Sequence, residues 1–163
     1  MLHENFERLL TATLDAARDH YGDRLVTLAV FGSVARGTQR ADSDVDLLLV
    51  CNALPPGRMK RMEEFSRVED RLEPILRSLE QHGISTSLSP ILKTPEEVQR
   101  GSPIYLDLVE DARLLFDRDG FFGGYLDQLR ERLARLGARR VWRGNAWYWD
   151  LKPDFKPGDV FEI

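Results

Sequence analysis

The stretch Phe31–Val50, FGSVARGTQRADSDVDLLLV, joins two apolar segments through a polar loop. The first segment, Leu25–Phe31, is too short for a helix and rich in strand-forming residues, and Val45–Val50 has the same character. Each segment therefore predicts a buried strand. The loop carries Gly32-Ser33 at its beginning and Asp44-Val45-Asp46 at its end, with ten mostly small, polar or basic residues between Ser33 and Asp44. This composition indicates a site for metal and phosphate.

The two aspartates share one face of the second predicted strand. Side chains alternate across a strand, so Asp44 and Asp46 are about 6.6 Å apart along it, close enough to reach one ion or an adjacent pair. Mg²⁺ prefers one or two carboxylates together with substrate phosphates. Gly32-Ser33 lets the backbone approach a polyphosphate closely and adds a hydroxyl donor. The basic side chains available to neutralise phosphate charge are Arg36 and Arg40.

Two better-known loop motifs share part of this pattern, and each lacks a required residue. The segment GSVARG has the glycine spacing of a P-loop, but Thr38-Gln39 stands where lysine and serine or threonine are needed. The alternating aspartates at 42–46 are spaced as in a calcium loop, but Leu47 replaces its glycine and Ala53 its final glutamate. The remaining alternative is a polar surface loop whose aspartates only cap a strand.

The composition is that of a single globular domain. The chain has 163 residues, 42% of them hydrophobic and 31% charged, which is ordinary for a soluble protein. A net charge of −4 makes nucleic acid an unexpected partner. The single cysteine, Cys51, excludes an intrachain disulfide, and no apolar run is long enough to cross a membrane. We therefore expect a cytoplasmic protein that makes no membrane contact.

Apolar periodicity predicts helices on both sides of the strands. The longest cover residues 4–21, 58–82 and 121–137, and shorter ones follow Thr94 and Ser102. Pro74 is expected to kink or divide the second of these helices. Residues 84–92 and 113–116 predict further strands, and Pro90 favours an edge position for the first of them. The resulting fold class is α/β (α+β).

We assign residues 1–137 to one domain and residues 138–163 to an aromatic-rich C-terminal tail. The tail contains all three tryptophans, at positions 142, 147 and 149, together with several arginines. Aromatic side chains stack on nucleobases and also mark protein interfaces. We expect the tail to pack on the same domain or on a partner.

The motif resembles that of a known superfamily. Gly32-Ser33, ten residues and then Asp44-x-Asp46 resemble the signature of the DNA polymerase β-like nucleotidyltransferases. The fuller string GSVARGTQRADSDVDLLLV is similar to that of the small branch called minimal nucleotidyltransferases (MNT). The resemblance is close over residues 25–50 and extends to the order of elements through about residue 116. It implies a nucleotidyltransferase fold, in which α-helices flank a mixed β-sheet.

The resemblance also implies an activity and a set of roles. Gly32 and Ser33 would hold the β- and γ-phosphates of ATP or another NTP, with Arg36 beside them, while Asp44 and Asp46 would bind Mg²⁺ and carry catalysis. A hydroxyl of a protein or small molecule would attack the α-phosphorus and receive AMP or another NMP. Small MNT proteins resemble antitoxins that pair with HEPN-domain RNases, so a HEPN-domain partner is expected. A homo-oligomer is a further option.

The sequence departs from the family pattern at the next strand, where a third carboxylate usually completes the metal site. No acid lies between Gly83 and Leu92, and the strand carries serines instead: Ser85, Ser87 and Ser89. The acids that could fold back to the site are Glu96, Glu97 and Asp107. The alternative function is therefore a non-catalytic partner-binding protein that keeps the nucleotide pocket. Transfer to an aminoglycoside-like small molecule or to an RNA end is a third option, although no substrate-binding domain is evident.

Overall fold

The computed structural model describes residues 1–163 and contains one mixed sheet, flanked by helices, and a separate hairpin. The helices are α1 (Leu2–Tyr21), α2 (Gly32–Arg36), α3 (Arg58–Gln81), α4 (Pro95–Arg100), α5 (Ile104–Asp111) and α6 (Phe121–Leu136). The strands are β1 (Leu25–Phe31), β2 (Val45–Cys51), β3 (Leu88–Lys93), β4 (Arg113–Asp117), β5 (Arg139–Arg143) and β6 (Ala146–Asp150).

The main sheet has the strand order β3-β2-β1-β4. Strand β1 pairs antiparallel with β2 and β4, whereas β2 pairs parallel with β3. The two apolar segments that bracket the polar loop are thus the two central strands. The predicted mixed sheet with flanking helices, of class α/β (α+β), is confirmed.

Alternate residues of the central strands pack into two separate hydrophobic layers. Leu28 and Leu47 lie in the layer formed with α1 and α3. Ala29 and Leu48 lie in the layer formed with α5 and α6. Since both faces of β1 and β2 are covered, these strands read as continuous apolar runs rather than as alternating ones.

Helix α3 is not divided at Pro74. The helix runs without interruption from Arg58 to Gln81, with Pro74 inside it, so of the two expected effects, a kink or a division, the division is wrong. Phe65 and Leu79 are buried on either side of the proline, which is itself exposed. Packing therefore holds both halves in one helix, and water can satisfy the carbonyl that loses its backbone donor.

Strand β3 is an edge strand, as Pro90 predicts, but it begins later than expected. It starts at Leu88 rather than at residue 84, because the residues before it bond to the polar loop. The amide of Ser85 donates to the carbonyl of Ala41 at 2.8 Å, and the hydroxyl of Thr86 donates to the carbonyl of Ser43 at 2.7 Å.

The C-terminal residues contain an antiparallel hairpin that the sequence pattern did not predict. Strands β5 and β6 pair Trp142 with Trp147 and Arg140 with Trp149.

The helix start predicted after Thr94 is confirmed, since the Thr94 hydroxyl and the Glu97 carboxylate form a reciprocal cap of α4. No helix in the chain is both long and apolar enough to span a bilayer.

Replacing Leu48 with alanine should destabilise the fold strongly. Leu48 is 0% exposed between β1 and the α5–α6 layer. The cavity left by Leu48→Ala should lower the free energy of unfolding by about 2–5 kcal/mol, measured by urea denaturation. Leu114→Ala is the matched control, because this leucine on the other edge strand is 39% exposed and should lose less than about 1 kcal/mol. Equal losses would contradict the two-layer core.

Candidate active site

The site begins where β1 ends. Strand β1 stops at Phe31 and α2 begins at Gly32 with no intervening loop, so the chain turns sharply at this glycine. Gly32 has φ of 70°, in the left-handed region that favours glycine. A Cβ atom at this position would lie 2.2 Å from Oδ2 of Asp46. Glycine is therefore required both by the turn and by the approach of the backbone to this carboxylate.

The two predicted metal ligands lie at the start of β2. Asp44 immediately precedes the strand and Asp46 is its second residue, paired in register with Phe31 of β1 and Ser89 of β3. The hydroxyl of Ser87 donates to Oδ1 of Asp44 at 2.8 Å. The serine segment that stands in place of an acidic one thus orients a carboxylate.

The surroundings of Asp46 raise its pKa. Partial burial raises its pKa, the negative charge of Asp44 raises it further, and the cation of Arg36 opposes both effects. Burial and charge, rather than hydrogen bonds, thus set the ionisation of this group. A cation placed beside Asp46 would relieve the repulsion between the two carboxylates.

Asp46 lines a cleft of about 370 Å³. The cleft lies between the β1–α2 turn, α5 and the hairpin, and its lining residues are Phe31, Gly32, Ser33, Arg36, Asp46, Ile104, Asp107, Asp111 and Trp147. Four of the five residues predicted from the sequence thus line one cleft. The fifth, Asp44, is not part of the lining and acts on Asp46 through its charge.

Arg36 is held by an acid that sequence reasoning did not single out. Its Nη1 lies 3.2 Å from Oδ2 of Asp111, the one charged residue in the buried set. Asp111 also pairs with Arg140 of the hairpin, at 2.8 and 3.3 Å. The guanidinium of Arg36 lies 5.1 Å from the ring centroid of Trp147. One carboxylate therefore pairs with two arginines, and one of them, Arg36, lines the cleft.

Asp107 is the only one of the three suggested substitute acids that lines the cleft. Its Oδ1 accepts hydrogen bonds from the indole Nε1 of Trp147, at 2.6 Å, and of Trp149, at 2.9 Å. Glu97 is instead bound to Arg61 at 2.7 and 2.9 Å, and this pairing lowers the pKa of Glu97 to about 2. Glu96 is exposed and lies outside the cleft lining.

The sequence contained a signal for Asp111, the acid that was missed. Asp107 and Asp111 are four residues apart on α5, so they share one helical face. The partners of that face, Trp147 and Arg140, lie about thirty to forty positions away, and no local pattern connects them.

The donor set suits a hard cation whose coordination is completed by a substrate. No group of three or more histidine, cysteine, aspartate or glutamate side chains is arranged to hold a metal. Two neighbouring carboxylates with a polyphosphate beside them are the ligands that Mg²⁺ uses when it keeps some of its water. Gly32 and Asp46 therefore fit a metal bound together with phosphates.

A larger cleft of about 510 Å³ lies between α3, β3 and α4, but it lacks this chemistry. Its Arg61 is neutralised by the bidentate contact with Glu97, and no pair of neighbouring acids lines it.

Residues 10–117 match the family model of the nucleotidyltransferase domain. The chain belongs to this family. It is a nucleotidyltransferase, and the matched residues run from α1 to the end of β4. The β5–β6 hairpin, which contributes Trp147 to the cleft, lies beyond the matched residues of this nucleotidyltransferase domain.

Two relatives and one solved structure are similar to this nucleotidyltransferase. A Methanocaldococcus jannaschii protein, provisionally named protein adenylyltransferase MJ1305, is 30% identical over 130 residues, or 78% of this chain and 83% of the relative. Protein adenylyltransferase MntA of Thermococcus cleftensis is 36% identical over 73 residues, or 45% of this chain and 67% of the relative. A Sulfolobus solfataricus crystal structure, provisionally described as a nucleotidyltransferase, has a TM-score of 0.46 at 23% identity and covers 71% of this chain and 86% of that one.

Alanine at position 32 should disturb the carboxylate as well as the backbone. Gly32 and Gly37 both have positive φ, but only at Gly32 would a Cβ meet Asp46. Gly32→Ala and Gly37→Ala should each lose about 1–2 kcal/mol of unfolding free energy in a thermal or urea melt. Only Gly32→Ala should also weaken binding of Mg²⁺ or Mn²⁺ in a calorimetric titration, since the Asp46 carboxylate must turn away. Equal metal affinity in the two variants would show that the close approach is irrelevant to the site.

Replacing Asp46 with asparagine should stabilise the protein at neutral pH in the absence of metal. The pKa of Asp46 is raised in the folded state, so folding with this group ionised is unfavourable at every pH above that raised value. Asp46→Asn removes the penalty and should raise the melting temperature at pH 7. The gain should vanish as the pH falls below about 4, where the unfolded carboxyl is protonated too. A gain that persisted unchanged at low pH would mean that ionisation is not its cause.

Proposed function

We propose that this nucleotidyltransferase transfers AMP from ATP to a hydroxyl group of a protein, with Mg²⁺ as its metal. The observation that carries the proposal is the approach of the Gly32 backbone to Asp46, where even a Cβ would lie 2.2 Å from the carboxylate. This contact supports the proposal because it brings the turn that would bind phosphate next to the carboxylate that would bind the metal. The two adenylyltransferase-named relatives support a protein acceptor, and a small-molecule hydroxyl is the other acceptor of the same chemistry.

The five site residues predicted from the sequence would divide the tasks of this reaction among them. Asp44 and Asp46 would hold Mg²⁺, with Asp44 kept in place by the Ser87 hydroxyl. The metal would neutralise charge on the entering and leaving oxygens. The Gly32-Ser33 backbone and hydroxyl would bind the β- and γ-phosphates, and the guanidinium of Arg36 would balance their charge.

The bonds that change are at the α-phosphorus. The acceptor oxygen forms a bond to this phosphorus and releases its proton to water, and the bond from phosphorus to the bridging oxygen breaks. Pyrophosphate leaves with the electron pair of that bond. The chain's contribution is positioning and charge compensation, which is the usual source of catalysis in phosphoryl-type transfer.

A HEPN-domain RNase is the acceptor we favour. The string GSVARGTQRADSDVDLLLV is similar to that of the minimal nucleotidyltransferases, and one relative carries the name MntA. In this role the protein would act as the antitoxin of the pair, and AMP on the RNase would be the inhibiting modification.

The serines before and within β3 favour a second candidate function, a nucleotide-binding partner protein without turnover. The segment presents Ser87 and Ser89 to Asp44 and Asp46, and no third acid completes a metal cluster. A site with fewer anionic ligands binds a second metal less strongly. In this case the protein would inhibit its partner by association alone.

Incubation with α-labelled ATP, Mg²⁺ and a purified HEPN-domain protein tests the two candidates. The wild-type protein should label the partner, and Asp44→Asn or Asp46→Asn should reduce the initial rate by more than about 100-fold because charge at the phosphates is no longer balanced. Asp42→Asn is the matched control, since this exposed aspartate pairs with Arg40 and should leave the rate unchanged.

The outcomes separate the candidates. A stable complex that is formed without label, and is equally stable with Asp44→Asn, would favour the non-catalytic partner. Label on the partner that survived both aspartate substitutions would contradict the assignment of these residues.

A further inference from the structure

One face of the β5–β6 hairpin, which is rich in tryptophan, lies against α5 and the cleft. Residues opposite each other in an antiparallel pair share a face, and this face carries Arg140, Trp142, Trp147 and Trp149. The other face carries residues such as Tyr148, which is 46% exposed. Two rings and one guanidinium of the inner face contact cleft residues, so the hairpin is attached to α5 by its inner face.

Trp147 contacts two cleft residues of opposite charge. Its Nε1 donates to Oδ1 of Asp107 at 2.6 Å, and its ring lies 5.1 Å from the guanidinium of Arg36. Trp149 supplies a second indole donor to the same oxygen at 2.9 Å. A ring face attracts a guanidinium, and an indole N–H stabilises a carboxylate. The Trp147 side chain thus contacts both a carboxylate, that of Asp107, and a guanidinium, that of Arg36, on the cleft wall.

Arg140 completes the arrangement from the same face of the hairpin. It pairs with Asp111 at 2.8 Å, while Arg36 lies 3.2 Å from the same oxygen of that carboxylate. The guanidinium of Arg140 also lies 5.0 Å from the Trp147 ring centroid. Arg36 is therefore held by Asp111 of α5 and by Trp147 of the hairpin, and the second of these contacts depends on the docked hairpin. A free arginine side chain loses considerable rotamer entropy when it binds a ligand, and a side chain held in advance loses less.

We propose that the hairpin is part of the nucleotide site and that Trp147 is a positioning residue, which holds Arg36 in place for the nucleotide phosphates. This inference rests on the proposed function, because it requires a polyphosphate in the cleft. It assigns a binding role to a segment outside the matched family residues 10–117. The coupling is reciprocal: a nucleotide that binds the positioned Arg36 must stabilise the docked hairpin to the same extent.

Titration with Mg²⁺ and AMP-PNP, a non-hydrolysable ATP analogue, tests the inference. Trp147→Ala should weaken AMP-PNP binding about tenfold, since it removes both the ring and the indole donor. Tyr148→Ala, the adjacent residue on the outer face, should change the affinity less than about twofold. If Trp147→Ala fails to fold by circular dichroism, Trp147→Phe and Asp111→Asn replace it, and each should weaken binding.

A double-mutant cycle separates positioning from a merely structural effect. In an Arg36→Ala background, Trp147→Ala should produce almost no additional loss of AMP-PNP affinity, because the group it positions is gone. Tryptic cleavage after Arg139 or Arg143 gives a second readout. Mg²⁺ and AMP-PNP should slow this cleavage in the wild-type protein and leave it unchanged in Arg36→Ala.

Each outcome has a distinct meaning. A wild-type protein that does not bind AMP-PNP would overturn the proposed function, and this inference with it. Wild-type binding that is equally tight in Trp147→Ala would overturn the positioning role alone. Additive losses in the cycle would also overturn it, because the tryptophan would then act independently of Arg36.

Discussion

The architecture of the site depends on the contact between the backbone of Gly32 and the carboxylate of Asp46. The left-handed turn at Gly32 lets α2 start directly at the end of β1, and the absence of a side chain lets β2 present Asp46 against that turn. The two strands are held in register by the main sheet, with Phe31 opposite Asp46. Because both strands are buried on both faces, the packing of the whole domain sets this distance.

The cleft gathers charges of both signs. Asp46 is partly buried near Asp44, so its pKa is raised. Across the cleft, the positive charges of Arg36 and Arg140 balance the negative charges of Asp107 and Asp111, and the guanidinium of Arg36 is the cation among the lining residues. This distribution suits a ligand that brings a metal cation to one wall and phosphate anions to the other. In the free site, the carboxylates of Asp44 and Asp46 repel each other, and a bound cation would relieve this repulsion.

The part of the fold that the sequence predicts is the part that is specified locally. The buried strands follow from unbroken apolar runs, the cap of α4 from Thr94 and Glu97, and the edge position of β3 from Pro90. The sequence left open whether Pro74 would kink or divide α3, and the helix is continuous because tertiary packing outweighs the lost hydrogen bond. Four of the five predicted site residues line the cleft, and they too are specified locally, because one short stretch of the sequence, from α2 to the start of β2, carries them all. Asp111 and the hairpin were missed because their contacts join distant parts of the chain.

The location of the tryptophans has a practical consequence. All three lie in the hairpin, so the tryptophan fluorescence of the protein comes from this one segment. Trp147 donates to Asp107 and faces Arg36, which places an emitting indole between two charges of the cleft. The electric field of such charges shifts the emission wavelength of an indole ring. A ligand in the cleft would change that field, so the fluorescence of Trp147 would report ligand binding.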